Sequence, residues 1–249
     1  MFRANMALRI FVLVSVTSVL GAIVWRVMRW PPGNFGHAAG VVMILSALFV
    51  VAAPLVRNLG MRKATEAALG VCLIGAVAEI AGLYLGFFGS YVYTDQWQPA
   101  LSLPGDLSFP VLLPLVWFII LATCYAYARQ RLEQWPAVVA GALLATSTDL
   151  VAEPVLTGTL GFWMWIDPAP LLGAPVLNPV GWFLTSSAGC GWLALRIGGL
   201  RPAGQEPRWM LVLALLGVAV TGASHGEPRG LWSLTLAPLV LAWPTRPAT

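Results

Sequence analysis

Long apolar runs interrupted by only a few charges constrain this chain more than any other feature of its sequence. Of its 249 residues, 59% are hydrophobic and only 10% are charged, whereas a soluble domain has about 25% charged residues. The chain therefore has too few polar side chains to cover a globule in water. This excludes a soluble enzyme, a nucleic-acid-binding module and a disordered chain. We predict an integral membrane protein with an all-α fold, a polytopic bundle of transmembrane helices.

The apolar runs also predict how many times the chain crosses the membrane. A helix spans the hydrocarbon core with about 20 mostly apolar residues. The segments that qualify are 8–25, 38–56, 64–88, 111–128, 136–156 and 180–197, with two shorter ones at 209–223 and 231–243. The short pair forms either two thin spans or a re-entrant hairpin. We therefore expect one transmembrane domain over residues 1–249, with seven or eight spans.

The basic residues predict the orientation of these spans. With eight spans and a cytoplasmic N-terminus, eleven Lys and Arg lie on the inner side, and Arg26, Arg29 and Arg229 lie on the outer side. Cytoplasmic loops collect positive charge, so we expect the N-terminus inside, as in a protein of the bacterial inner membrane. The eleven inner residues are Arg3, Arg9, Arg57, Arg62, Lys63, Arg129, Arg131, Arg196, Arg201, Arg208 and Arg246.

Two predicted outer loops, 90–110 and 158–179, have an unusual composition. They contain no Lys or Arg and are rich in Gly, Pro, Trp and Tyr, so they either cover a site or form an aromatic belt at the membrane interface. A glutamate in the preceding span, Glu79 or Glu153, comes before each loop, and a Trp-Phe pair follows in the next span. The two units are weakly similar and suggest a parallel internal repeat with a cavity between its halves.

Three acidic residues lie inside predicted spans. Glu79, Asp149 and Glu153 have no Lys or Arg at a similar depth, and a charge at the bilayer centre costs roughly 2.5–3.5 kcal/mol on insertion scales. Asp149 and Glu153 are four residues apart and share a helix face. With a rise of about 1.5 Å per residue, all three lie in the outer half of the membrane. We expect them to face one internal cavity, although braces that hydrogen-bond a neighbouring helix are the alternative.

Several kinds of chemistry are excluded by missing motifs. The chain has no Walker loop, nucleophile elbow, Cys-His pair or Asp-rich diphosphate motif. Its histidines, His37 and His225, lack the Glu-x-x-His spacing of metal sites in helical bundles. Cys72, Cys124 and Cys190 lie in apolar runs, so we expect no disulfide. Acid catalysis on an apolar substrate is left, because Trp and Tyr faces can stabilise a carbocation beside a desolvated acid.

Three motifs near the acids carry a family resemblance. They are D-x-x-x-E-P at 149–154, W-x-W at 163–165 and G-x-P-x-x-N-x-x-G-W at 173–182, with a further similar stretch at 79–93. Together they resemble the membrane-integral carotenoid biosynthesis proteins over roughly residues 70–195. The characterised members of that family are carotenoid hydratases that act on acyclic ends, of the carotenoid 1,2-hydratase and bisanhydrobacterioruberin hydratase type.

The resemblance implies a cofactor-independent hydro-lyase that adds water to the terminal double bond of an acyclic carotenoid such as lycopene. The implied partners are an apolar polyene that enters from membrane lipid, and water; neither a nucleic acid nor a metal is expected. We expect Asp149 to donate the proton, Glu153 to orient or deprotonate the water, and Glu79 and Asn178 to place water or hold the acid protonated. The residues expected to bind substrate are Tyr84, Tyr91, Tyr93, Trp117, Trp163, Trp165, Asn178 and Trp182.

Other functions are compatible with the same residues. A carotenoid cyclase or isomerase uses the same acid and cation but excludes water. A non-catalytic carotenoid-binding subunit needs the aromatic cleft but not the acids, and a transporter also places acids at mid-depth. The sequence does not distinguish which carotenoid reacts, whether one or both ends react, or what the oligomeric state is.

Overall fold

A computed structural model of the protein describes residues 6–28, 34–198 and 204–242. Within these ranges the chain forms eight α-helices, each overlapping one of the predicted apolar segments. They are α1 (Met6–Met28), α2 (Asn34–Leu59), α3 (Met61–Leu85), α4 (Leu113–Arg129), α5 (Gln134–Glu153), α6 (Leu177–Ile197), α7 (Glu206–Ser224) and α8 (Ser233–Ala242). Four of the basic residues that were counted for the predicted orientation lie outside the described residues: Arg3, Arg29, Arg201 and Arg246. Position 243, at the end of the last predicted segment, also lies outside them.

Five helical segments of the described chain are long and apolar enough to cross a membrane. They are α1, α3 and α7, the part of α2 over Ala38–Leu59, and α5 with its continuation over Gln134–Thr159. Helix α4 is a shorter apolar helix. Helix α8 has ten residues and is about 15 Å long, half of a hydrocarbon core of about 30 Å. The helical fold of a membrane protein agrees with the prediction, whereas the number of seven or eight spans and the orientation stay predictions.

Helices α3 to α6 form the centre of the bundle. Helix α3 packs against α4 and α6, and α5 packs against the same two helices. Trp117 and Phe118 of α4 are completely enclosed at this centre. Helix α7 packs against α4 and α1, and α1 also packs against α2. The central helices therefore surround a volume that α1, α2 and α7 close from one side.

Two short β-ribbons, absent from the all-α prediction, cover one end of the bundle. They form in residues 86–112 and 160–176, which join α3 to α4 and α5 to α6, and we call this end the loop end. The ribbon strands are β1 (Tyr91–Tyr93) with β4 (Trp163–Trp165), and β2 (Ala100–Leu103) with β3 (Leu107–Pro110), both antiparallel. The backbone N–H of Ser90 also donates to Asp167 Oδ2 at 2.7 Å. The two long loops are thereby held together as one cap.

The β1–β4 ribbon joins the two units of the predicted internal repeat. Tyr91 lies opposite Trp165, in a register that places equivalent strands side by side. Below the ribbon, Trp117 of α4 stacks on Trp182 of α6, with ring centroids 4.1 Å apart. These contacts connect equivalent positions of the two units, as a parallel repeat predicts. The repeat itself stays a prediction, because the two units share few identical residues.

Helix α5 continues into a π-helical turn over Pro154–Thr159. Pro154 has no backbone N–H and so interrupts α-helical bonding. The N–H of Leu160 donates to Val155 O at 2.8 Å, the wider spacing of a π-turn. The Thr157 hydroxyl donates to Glu153 O at 2.8 Å. Turns of this kind are frequent at functional sites, and this one leads from the acid at the end of α5 to strand β4.

Candidate functional site

A large cavity lies below the β1–β4 ribbon, inside the bundle. Its volume is about 500 Å³, within the range of about 300–1,000 Å³ that small-molecule sites occupy. Most of its wall is apolar or aromatic, and its carboxyl groups are near the loop end. The predicted site residues on its wall are Glu79, Tyr91, Tyr93, Trp117, Asp149, Trp163, Trp165, Asn178 and Trp182. We call it the acid cavity.

Glu79 of α3 is held by three hydrogen-bond donors. The hydroxyls of Tyr91 and Tyr93 donate to Oε2 at 2.6 and 2.7 Å, and the indole N–H of Trp117 donates to Oε1 at 2.8 Å. Strand alternation puts Tyr91 and Tyr93 on one face of β1, which is why both reach the same oxygen. Burial raises the pKa of both tyrosines well above the ordinary value, so their hydroxyls keep the protons that they donate.

Glu153, the last residue of α5, lies behind the tryptophans of β4. The indole N–H groups of Trp163 and Trp165 donate to its Oε1 at 3.0 and 2.5 Å. The side chain is completely enclosed, and Oε2 has no hydrogen-bond partner among the described residues. Glu153 is not among the residues that line the acid cavity. We predicted that all three acids face one cavity. Glu79 and Asp149 line the acid cavity, whereas Glu153 does not.

Asp149 lies one helical turn before Glu153 and reaches the cavity wall. The side-chain amide of Asn178 donates to Asp149 Oδ2 at 3.0 Å. Asn178 is in the first turn of α6, where its backbone N–H donates to Pro175 O at 3.1 Å. The amide is thereby aimed across the α5–α6 interface at the acid. Asp149 thus combines contact with the cavity and, within the described ranges, a single polar side-chain partner.

Aromatic rings connect the two glutamates. Tyr91, which is bonded to Glu79, meets Trp165, which is bonded to Glu153, with ring centroids 5.2 Å apart in an edge-to-face arrangement. The stacked indoles of Trp117 and Trp182 form another part of the same wall. Ring faces attract a cation through their electron-rich centres. The wall around Asp149 is therefore suited to a positively charged, apolar intermediate.

Close packing at two glycines allows the rings to reach the cavity. A Cβ at Gly181 would lie 2.5 Å from Phe88 Cδ1, and a Cβ at Gly75 would lie 2.5 Å from Trp117 Cγ. Phe88 is almost completely buried and stacks on Trp117, with ring centroids 6.3 Å apart. A side chain at either glycine would displace one of these two rings.

A second predicted site residue, Tyr84, also does not line the cavity. Tyr84 is 47% exposed, and its hydroxyl donates to Pro104 O at 2.9 Å, so it supports the loop end from outside. Its position in the sequence, five residues after Glu79, did not distinguish a wall residue from a loop anchor.

The sequence analysis also missed parts of the wall. Trp97 lines the cavity and packs on Phe162, with ring centroids 4.9 Å apart. The aromatic composition of its loop was a usable signal, but nothing singled out this position. The residues from α1 and α7 carried no local signal, because apolar residues and single serines such as Ser15 and Ser18 are ordinary in a membrane helix.

The site chemistry is that of an acid among aromatic rings. Among the described residues, no three His, Cys, Asp or Glu side chains are grouped so that they could hold a metal ion, and Cys72, Cys124 and Cys190 are free thiols. The arrangement can enclose a long apolar molecule, exchange a proton with it at Asp149 and stabilise positive charge nearby.

Comparison with known protein families gives a match over most of the chain. A family model described as carotenoid biosynthesis protein matches residues 39–237. The match extends beyond the stretch of about 70–195 on which the resemblance was based, and includes all three buried acids, both ribbons and helix α7. No curated protein and no solved structure matches the chain.

Proposed function

Because the chain belongs to the family of carotenoid biosynthesis proteins, we propose that it is a carotenoid hydratase that adds water to the terminal double bond of an acyclic carotenoid end. The observation that carries this proposal is the place of Asp149 on the wall of an aromatic cavity, with one side-chain donor in the described part of the chain. The bundle around it is apolar enough to admit a polyene from lipid. The charge distribution of the sequence supports a place in a bacterial inner membrane.

The first step is protonation of the alkene by Asp149. The carboxyl proton forms a C–H bond with the less substituted carbon of the terminal double bond, and the π bond breaks. A tertiary cation is left at the dimethyl carbon, and Asp149 becomes a carboxylate. The Asn178 amide, 3.0 Å from Oδ2, stabilises this carboxylate as it forms, since hydrogen bonds to charged groups are the stronger ones.

The aromatic wall stabilises the cation. Trp117 and Trp182 place ring surface on the cavity, where a desolvated cation–π contact contributes about 2 kcal/mol. Trp163 and Trp165 also line it, and their N–H groups point away to Glu153. The carboxyl group behind them orients both indoles. We therefore assign Glu153 a positioning role instead of the water-activating role expected from the sequence.

Water completes the reaction at the dimethyl carbon. A C–O bond forms between water and the cation, and the proton that the water loses returns to Asp149. The acid is regenerated, and the product is a tertiary alcohol. Electrons and protons balance without an oxidant or reductant, so the proposed reaction calls for no cofactor.

Pigment analysis tests the proposal. The gene is expressed in a host that makes lycopene, and the carotenoids are analysed by mass spectrometry. The product is expected to gain the mass of one water for each modified end, with its hydroxyl oxygen labelled from heavy-oxygen water. A product of unchanged mass and altered absorption would identify a cyclase or isomerase instead. Unchanged lycopene from folded protein would contradict the hydratase and favour a binding subunit.

An Asp149→Asn variant tests the assignment of the acid. An amide cannot deliver the proton, so the hydration rate should fall at least 100-fold, within the range of about 10²–10⁴ for general acid catalysis. Bound pigment should still co-purify with the variant. The matched control is Asp95→Asn, the same change at an exposed loop acid, which should keep its activity. A variant that retains most activity would assign the proton to another group.

A further inference from the structure

Two cavities meet end to end inside the bundle. A second cavity of about 290 Å³ lies on the side of the acid cavity away from the loop end. Among the described residues, Thr123 of α4 and Met210 of α7 line both cavities. Both are buried, and Thr123 Oγ1 lies 3.8 Å from Met210 Sδ. This pair of side chains stands at the junction between the two cavities.

The two cavities follow the same helices. On α2 the lining passes from Met43 in the acid cavity to Asn58 in the second cavity, and on α7 it passes from Thr221 to Glu206. On each helix the two end residues are 15 positions apart (58 − 43 and 221 − 206), which corresponds to about 22 Å of helix. Joined at Thr123 and Met210, the cavities would form one channel along the bundle.

The second cavity has a chemistry that fits the rest of a polyene. Most of its wall is apolar, and its charged residues, Arg57 and Glu206, lie at the helix ends away from the acid cavity. An extended chain advances about 1.1–1.2 Å per backbone atom, so a channel of about 22 Å holds on the order of 20 chain carbons. That length exceeds one carotenoid end group and its first few double bonds. The channel is therefore long enough for much of the chain beyond the reacting end.

We propose that the second cavity binds the part of the carotenoid away from the reacting end, and that Met210 and Thr123 determine the length of chain that the protein accepts. The inference rests on the proposed function only in taking the ligand to be an acyclic polyene. Met210 is suited to this place because its unbranched, flexible side chain adapts to irregular space. A change of its rotamer opens the junction without moving a helix.

Binding measurements in an Asp149→Asn background test the inference without any reaction. Two ligands are titrated by quenching of tryptophan fluorescence: lycopene, and a C10 acyclic isoprenoid alcohol with the same dimethyl alkene end, whose main chain of about eight carbons is about 9 Å long and fits in the acid cavity alone. Met210→Trp fills the junction and should weaken lycopene binding at least tenfold, while binding of the C10 alcohol changes less than twofold. Ala126→Phe, which fills only the second cavity, should act in the same way. The matched control is Leu216→Trp on the same helix, where the side chain is 42% exposed and neither ligand should be affected.

The outcomes separate this inference from the proposed function. If lycopene binds both folded cavity variants as well as the parent, or if the two ligands weaken equally, the second cavity does not hold the chain. If Met210→Trp fails to fold, Ala126→Phe decides the question. A wild-type protein that binds lycopene with this length dependence but does not hydrate it would overturn the proposed function alone. Failure of the folded parent to bind lycopene would overturn both.

Discussion

At the scale of single residues, the number of hydrogen-bond donors distinguishes the three buried acids. Among the residues that the structure describes, Glu79 accepts from three side chains and Glu153 from two, whereas Asp149 accepts from Asn178 alone. Buried polar groups that are fully bonded make a structure rigid, because leaving any of them unpaired is costly. Glu79 therefore ties β1 to α3 and α4. Asp149, with one donor and a place on the cavity wall, is the acid best able to exchange a proton with a ligand.

Glu79→Gln should destabilise the protein. The glutamine amide group is a donor, so at least one of Tyr91, Tyr93 and Trp117 loses its acceptor, and an unpaired buried donor costs about 1–3 kcal/mol. Thermal unfolding in detergent measures the change in the free energy of unfolding. Glu66→Gln on the same helix is the control, because Glu66 forms a surface ion pair with Arg62 of a type worth at most about 1 kcal/mol. Equal effects of the two changes would show that the three bonds to Glu79 contribute little.

At the scale of elements, the short ribbon of the loop end positions the donors that the helices cannot supply. Helix α3 ends at Leu85 and is capped by Gly86, whose φ of 68° lies in the left-handed region that favours glycine. The chain there turns back into β1, with Tyr91 directed at α3. Strand β4 does the same for α5 through Trp163 and Trp165, and pairing of the strands fixes both sets together. The helices below must approach closely enough for the rings to meet.

Gly181→Ala should disrupt this approach of α6. The added Cβ would lie 2.5 Å from Phe88 Cδ1 and 3.0 Å from the backbone oxygen of Phe87. Overpacking of this kind costs about 1–3 kcal/mol, and the displaced Phe88 should also lower hydration activity. Gly191→Ala lies on the same helix with no atom within 4 Å of its Cβ, and it should leave unfolding temperature and activity unchanged. The prediction is wrong if both variants unfold at the wild-type temperature.

At the scale of the whole molecule, the carboxyl groups of the acid cavity and most of the basic residues lie at opposite ends of the bundle. The acid cavity opens below the loop end, whereas most basic residues of the described helices lie where α2, α4 and α6 end and where α3 and α7 begin. These are Arg57, Arg62, Lys63, Arg129, Arg196 and Arg208. Because cytoplasmic segments collect positive charge, this polarity predicts that the loop end faces outward. Water would then reach Asp149 from the exterior.

Cysteine labelling tests that orientation. In a variant without Cys72, Cys124 and Cys190, a cysteine at Gln96 or Ile166, both exposed at the loop end, should react with an impermeant thiol reagent added to intact cells. A cysteine at Arg62, whose side chain is 92% exposed at the opposite end, should react only after lysis. The reverse pattern would place the loop end in the cytoplasm.

The sequence alone determined the class of fold and the identity of the acids, because both depend on local properties. Apolar runs of about 20 residues form membrane helices wherever they pack, and the W-x-W alternation places Trp163 and Trp165 on one strand face in any register. The four-residue spacing of Asp149 and Glu153 likewise survives in any bundle.

Tertiary structure alone decided which acids line the cavity and which of them has few hydrogen-bond donors. Glu153 is hidden because β4 folds back over it, and Glu79 is saturated because β1 pairs with β4 across the two loops. Tyr84 is directed away from the cavity for a similar reason, since it anchors the β2–β3 loop. The walls from α1 and α7, and the junction at Met210, come from the packing of helices distant in sequence. Such contacts depend on the rotation of each helix about its axis and on the register of the strands. Apolar side chains of similar hydrophobicity do not specify either of these in the local sequence.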